Sequence, residues 1–169
     1  MAALVAAAVP EARFVVIGGG PMRAHLERQA AALGLLGAAG DGSGVMRFTG
    51  PVYGEELPRE LAKLEVVVNP TLRAWAETFC IANIEVMAMG LPLVTFGVGG
   101  IGEHVREDGV VGDRVDEPTS EGLSEAVVRL LRDPEEGRRM GERGRRRAVA
   151  EFEVGGMVRR YARLYEGSG

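Results

Sequence analysis

The sequence predicts an α/β fold, a doubly wound and mainly parallel sheet with helices on both faces. Three observations predict it. Compact apolar runs alternate with stretches of helical apolar spacing, the pattern of strands buried on both faces and joined by crossover helices. Glycine-rich turns follow several of those runs, and the 169 residues include 25 glycines. Ligands of such sheets bind beyond the carboxyl ends of the strands, and the segments 18–20, 50–54 and 97–100 all fall at those ends.

Residues 1–10 read as an amphipathic or buried helix and not as a secretion leader, because the apolar stretch is short and carries no positive front. Arg13–Ile17 is a first strand. Met22, Leu26, Ala30 and Leu33 then fall at helical spacing. Residues 34–44, rich in Gly and Ala, read as a surface loop. Val45–Phe48 is a second strand. Glu55–Leu64 is a short helix that tolerates Pro58 only in its first turn, and Glu65–Asn69 is a third strand. Phe79–Met89 is a helix stopped by Gly90, and Pro92–Phe96 is a fourth strand. A short helix over 101–106 and a weak strand near 110–115 follow. Three helices close the chain at 120–132, 135–150 and 156–166, the first two started by Ser120 and by Asp133-Pro134. The whole of 1–169 reads as a single domain, with 153–169 as its C-terminal helix and tail.

Composition excludes several function classes. A net charge of −4 argues against a general nucleic-acid partner, which needs a concentrated positive surface. No apolar run approaches the ~20 residues that cross a bilayer, so a soluble, cytoplasmic protein without a transmembrane segment is expected. A single cysteine, Cys80, excludes an internal disulfide and an all-cysteine zinc site. With His25 and His104 far apart in the chain, neither a metal nor another cofactor is expected. Arg138, Arg139, Arg143, Arg145, Arg146 and Arg147 are interleaved with Glu135, Glu136, Glu142 and Glu151 and read as a solvated helix face. Trp75, Tyr53 and Phe48 read as packing residues, and His104 as a surface helix residue.

Gly18-Gly-Gly-Pro21 fails the dinucleotide fingerprint, because Arg23 stands where its third glycine belongs. It is either a plain turn or a loop whose backbone can approach a phosphate or base. The informative stretch runs from Asn69 to Val94. Glu77 stands at a helix mouth and Glu85 eight positions on, which puts them about 80° apart and ~12 Å along the axis. Free N–H groups around Phe79 to Ile81 can accept an anion such as a diphosphate. Glu77 could then reach a sugar, and Glu85 could accept both hydroxyls of a ribose. The plain alternatives are a dipole-favoured carboxylate at Glu77 and a solvated face at Glu85. The apolar neighbours Ile84, Val86, Met87 and Met89 favour a partner for Glu85.

Glu77 and Glu85, followed by Ala88-Met-Gly-Leu-Pro92 and Gly97-Val-Gly-Gly-Ile101, resemble the donor-binding domain of family 4 glycosyltransferases, the "group 1" type with the GT-B fold. Val16-Ile-Gly-Gly-Gly-Pro21, Val45-Met-Arg-Phe-Thr-Gly50 and Val66-Val-Val-Asn-Pro70 occur in that family's order, and the likeness runs from about Glu11 to Tyr165. It implies a Rossmann-like half of a GT-B fold and retaining transfer of a sugar from a nucleotide diphosphate to an acceptor, without a metal. By the resemblance Glu77 is the catalytic carboxylate contacting the donor sugar. The backbone of Thr78, Phe79, Cys80 and Ile81 holds the diphosphate, and Glu85 binds the ribose. Pro51 and Val52 face the base, and Gly18, Gly19 and Gly20 line the same cleft.

Two departures accompany the match. The family usually has Glu-Gly-Phe-Gly where this chain has Glu77-Thr-Phe-Cys80. The family's donor domain also opens with a strand and an Arg/Lys pair that grips the diphosphate, whereas the only lysine here is Lys63. A helix end supplies about half a positive charge, and Arg23 and Arg73 are the candidates to add to it. The resemblance therefore implies a domain incomplete at its N-terminus, without its first strand and without the preceding acceptor domain, and inactive or weakly active by itself. Loss of that strand would leave two apolar strand edges unpaired or force them together. The alternative is a non-catalytic nucleotide- or protein-binding module on the same fold.

Overall fold

The structure, a computed structural model, describes residues 1–37, 44–72, 78–105, 113–115 and 118–167, with backbone alone for 113–115. The elements run α1 (Ala2–Ala8), β1 (Phe14–Ile17), α2 (Arg23–Ala32), β2 (Met46–Gly50), α3 (Glu56–Leu61) and β3 (Val67–Asn69). They continue with α4 (Ile81–Met89), β4 (Leu93–Phe96), a 3₁₀ turn (Gly99–Glu103), β5 (Asp113–Val115), α5 (Ser120–Arg132), α6 (Pro134–Phe152) and α7 (Val154–Glu166). The alternation expected from the sequence is present. The chain divides into two compact units, Met1–Glu60 and Leu61–Gly169, each with its own parallel sheet.

In the first unit β1 and β2 pair in parallel, Phe14 opposite Met46 and Val16 opposite Phe48. The register shifts before Ile17, which lies opposite Gly50. Both strands therefore deliver their carboxyl ends to the same edge. The N-terminal segment forms the expected helix, and α1 buries Val5 completely. Pro58 lies in the first turn of α3, where a missing N–H costs no helical bond.

In the second unit the order is β3-β4-β5, all parallel. Central β4 is buried along its whole length, as a strand covered on both faces must be. β3 hydrogen-bonds only β4, and β1 only β2, among the described residues. Among the described residues, one edge of β1 and one edge of β3 carry no ladder.

Three boundaries differ from expectation for local reasons. α4 starts at Ile81 and not Phe79, because Cys80 takes a left-handed conformation (φ 48°) that no helix interior accepts. The cap of α5 is Thr119, whose hydroxyl accepts from Gly122 N–H at 3.0 Å. α6 runs on to Phe152, so only extended Glu153 separates it from α7.

Asp133 closes the junction of α5 and α6, its carboxylate accepting from Glu136 N–H at 2.9 Å ahead of Pro134. Asp133→Ala is expected to lower stability by about 1 kcal/mol, the ordinary cost of losing an N-cap, measured as a shift in the urea midpoint. At the next junction Glu153 accepts from Gly155 and Gly156 N–H, each at 2.9 Å. Those two backbone bonds, with smaller help from Arg159, hold its carboxyl below the usual carboxylate range. A depressed folded value means the cap is fully present above the unfolded carboxylate's range and is lost as pH falls through the folded value. The Gly155 and Gly156 amide protons should therefore lose protection below that range, as read by proton NMR across an acid titration.

Candidate functional site

The site residues of the first unit gather at the carboxyl edge of β1 and β2. Gly18 N–H donates to Gly50 O at 2.9 Å, which ties the two turns together. Gly18 and Gly20 hold φ of 127° and 136°, which side chains rarely adopt. A Cβ on Gly19 would lie 3.0 Å from Pro51 Cγ. The structure thus brings Gly18, Gly19, Gly20 and Pro51 together, with half-buried Val52 next in the chain. Arg23 stands beside them, donating from Nη2 to Phe48 O at 3.4 Å and lying over the Phe48 ring. Its charge is shared with Glu27, 2.8 Å from Nε.

In the second unit the chain leaves β3 at Asn69 and re-enters helix at Ile81, while Gly97–Gly100 follows β4. β3 and β4 are parallel, so both exits lie at one edge. Glu77, Arg73 and Trp75 lie outside the described residues, and the structure bears on none of them. Thr78 is exposed, Phe79 is 39% exposed, Cys80 is buried at the N-cap and Ile81 is 67% exposed. The first turn of α4 therefore meets solvent on one side and the core on the other. A Cβ on Gly100 would lie 1.7 Å from Thr78 O, so the 97–100 loop presses backbone to backbone on the α4 mouth.

Glu85 is exposed on α4, on the face that carries Ile81, Ala82 and Ala88, whereas Asn83, Val86 and Met87 point into the core. The apolar neighbours that argued for a partner belong largely to the opposite face. The carboxylate is solvated and makes no hydrogen bond or ion pair with any described residue. It is the single acidic group of α4, on an exposed face otherwise made of Ile81, Ala82 and Ala88.

A family model described as "Glycosyl transferases group 1" matches residues 1–133. The chain belongs to that family. This group 1 glycosyl transferase chain is 32% identical over 163 residues to a GDP-mannose-dependent alpha-(1-6)-phosphatidylinositol monomannoside mannosyltransferase of Mycolicibacterium smegmatis, covering 94% of itself and 41% of that protein. It is 34% identical over 124 residues to an MMP alpha-(1->4)-mannosyltransferase of Mycolicibacterium hassiacum, covering 73% of itself and 29% of that protein. Among solved structures it matches Anabaena HepE in complex with UDP at a TM-score of 0.82 and 21% identity, over 99% of this chain and 45% of that one. It matches sucrose-phosphate synthase from Thermosynechococcus elongatus at 0.80 and 26%, over 98% of this chain and 41% of that one. The fold is the Rossmann-like α/β fold of GT-B glycosyltransferases. The chain spans less than half the length of these relatives.

Two side chains of this glycosyl transferase chain lie elsewhere than the sequence suggested. His104, read as a surface residue, is 0% exposed, with its ring edge-on to Phe79 and Phe152 at 5.7 and 6.1 Å. It faces inward because the 3₁₀ turn ahead of it rotates the chain away from regular helical spacing. Tyr53, read as packing, is 79% exposed, because the turn after β2 carries it off the sheet edge. Sequence reasoning also passed over Asn69 and Asn83, whose amides meet at 2.8 Å behind the α4 mouth. The available signal was an amide at the end of one apolar run and a second in the first turn of an apolar helix. No described helix is long and apolar enough to cross a membrane, and no three His, Cys, Asp or Glu side chains among the described residues come together as a metal requires.

Proposed function

We propose that this chain is the donor-binding part of a retaining, nucleotide-sugar-dependent glycosyltransferase. The observation that carries the reading is α4 itself. It opens toward solvent at the carboxyl edge of β3 and β4 and bears a solvated carboxylate, Glu85, one turn below its first amides. The amides of Thr78 to Ile81 take the diphosphate of the donor, helped by the roughly half positive charge of a helix N-terminus. Glu85 accepts both ribose hydroxyls, and Glu77 contacts the transferred sugar as the catalytic carboxylate.

The transfer as proposed uses no metal, since amide dipoles and positive side chains meet the charge that develops on the leaving diphosphate. The acceptor is held by further chain in a longer protein, and the reaction takes place in the cytoplasm. Both statements rest on the family assignment. Of the proteins named above, one is GDP-mannose-dependent and HepE is in complex with UDP, so GDP and UDP are the nucleotides to try first.

Calorimetry of the chain with UDP, GDP and ADP tests the reading. One of the three is expected to bind, unchanged by EDTA, and Glu85→Gln is expected to weaken it about tenfold or more, since the negative charge and one of the two acceptor oxygens are lost. Equal affinity in Glu85→Gln, or no nucleotide bound by the parent, would remove the assignment.

A further inference from the structure

We propose that Asn69 and Asn83 are positioning residues, a buried amide latch that fixes the Cys80 turn to the end of β3 and so aims the first amides of α4 at the donor's diphosphate. The proposal rests on the nucleotide-sugar reading for its purpose, but not for its geometry.

The orientation of each amide follows from what its partners can do. Thr71 N–H and its hydroxyl both reach Asn69 Oδ1, at 3.1 and 2.8 Å. A backbone N–H only donates, so the oxygen of Asn69 faces Thr71 and its NH₂ faces inward. That NH₂ donates to Asn83 Oδ1 at 2.8 Å and to Cys80 Sγ at 3.0 Å. Asn83 must then present its own NH₂ to His104 Nε2, 3.4 Å away, which makes that nitrogen the acceptor. Asn83 is 1% exposed. A polar chain thus runs from the loop after β3, through α4's first turn, to the ring that packs edge-on against Phe79.

Cys80 is the one non-glycine residue with positive φ among the described residues. Such a conformation persists only where its surroundings over-determine it. Its side chain caps no amide of α4. The latch grips it through Sγ, from the side opposite to solvent. A valine or leucine at 69 or 83 would fill the volume but would neither orient the thiol nor fix the turn.

Cys80 is the only cysteine in the chain and is buried, so its alkylation by iodoacetamide under native conditions reports opening of this turn. Asn69→Ala and Asn83→Ala are each expected to speed alkylation about tenfold or more, the effect of losing even one of their buried hydrogen bonds with its partner left unsatisfied. Ser124→Ala serves as the control. It removes a buried-residue bond of similar kind, Ser124 Oγ to Glu121 O at 2.8 Å, in α5, and should leave the rate unchanged. Rates within about twofold of the parent in the Asn variants, or an equal rise in Ser124→Ala, overturn the latch. Should the Asn variants not fold, Thr71→Val decides, because it removes only the hydroxyl that orients Asn69. A rise of about threefold supports the latch and an unchanged rate overturns it. UDP or GDP should slow alkylation of the parent. A parent that neither nucleotide protects loses the donor reading, while the latch is still judged by the variant rates.

Discussion

Gly141→Val is expected to destabilise the Leu61–Gly169 unit by about 3 kcal/mol or more, the upper range for forcing volume into a packed interior. The reason is geometric. A Cβ at 141 would stand 1.9 Å from Gly90 O and 2.6 Å from Gly90 C, and backbone atoms cannot rotate out of the way. Helix propensity pulls only weakly in the opposite direction, since valine gains roughly a few tenths of a kcal/mol over glycine in a helix interior, so the clash wins by a clear margin. Gly137, one turn earlier on the same face of α6, supplies the control. A Cβ there would meet Pro92 Cγ at an ordinary 3.5 Å, and Gly137→Ala should be neutral or mildly stabilising. Urea unfolding of both variants checks the contrast, and similar midpoints for the two would mean that α4 and α6 are not this close. The consequence extends to α4, because Gly90 at its C-terminus (φ 75°) is the residue struck. Arg145 of α6 also donates to Ala88 O at 2.9 Å, one of the carbonyls a helix end leaves without a partner.

This contact explains where sequence reading stopped. The charged pattern of α6 is a solvated face at Arg138, which pairs with both Glu135 and Glu142, but Arg147, with a side chain only 9% exposed, turns inward and donates to Glu103 O at 2.7 Å. The opposite face, Gly137, Gly141, Gly144 and Ala148, is buried. Nothing local distinguishes a glycine kept small for a neighbouring backbone from one that merely weakens a helix. Strand and helix alternation was legible because burial on both faces writes itself as apolar runs, and the glycine turns were legible because positive φ demands glycine. Glu85 was legible as a candidate but not as an exposed one, since an apolar helix that is solvated on one side has no strong periodic signature. His104 and Asn83 were misread or missed for a related reason. The Asn83 amide and the His104 ring meet across 21 residues of sequence, and no local pattern spans that distance.

Gly100→Ala is the second large effect, expected at the site more than in the core. The added Cβ would fall 1.7 Å from Thr78 O and 3.3 Å from Phe79 N, so the α4 mouth must move away from the 97–100 loop or the loop from it. The sequence reading gave Gly97-Val-Gly-Gly-Ile101 a role through family likeness. The structure supplies a physical reason for Gly100 in particular: the carbonyl of Thr78 occupies the place of its side chain. Neighbouring Gly99 is required differently, by its φ of 56°. Because β4 and the Asn69–Asn83 contact remain in place, the fold should survive with a loss of about 1–3 kcal/mol, the usual range for overpacking. Nucleotide affinity should fall by about tenfold or more, since amides displaced by even an ångström lose most of their hydrogen-bond geometry. Calorimetry beside thermal melting separates the two effects. A Gly100→Ala protein that melts earlier yet binds UDP or GDP like the parent would place the diphosphate somewhere other than the start of α4. A protein that melts normally and binds poorly would locate the diphosphate at the turn between Thr78 and Ile81, with Glu85 one turn below it.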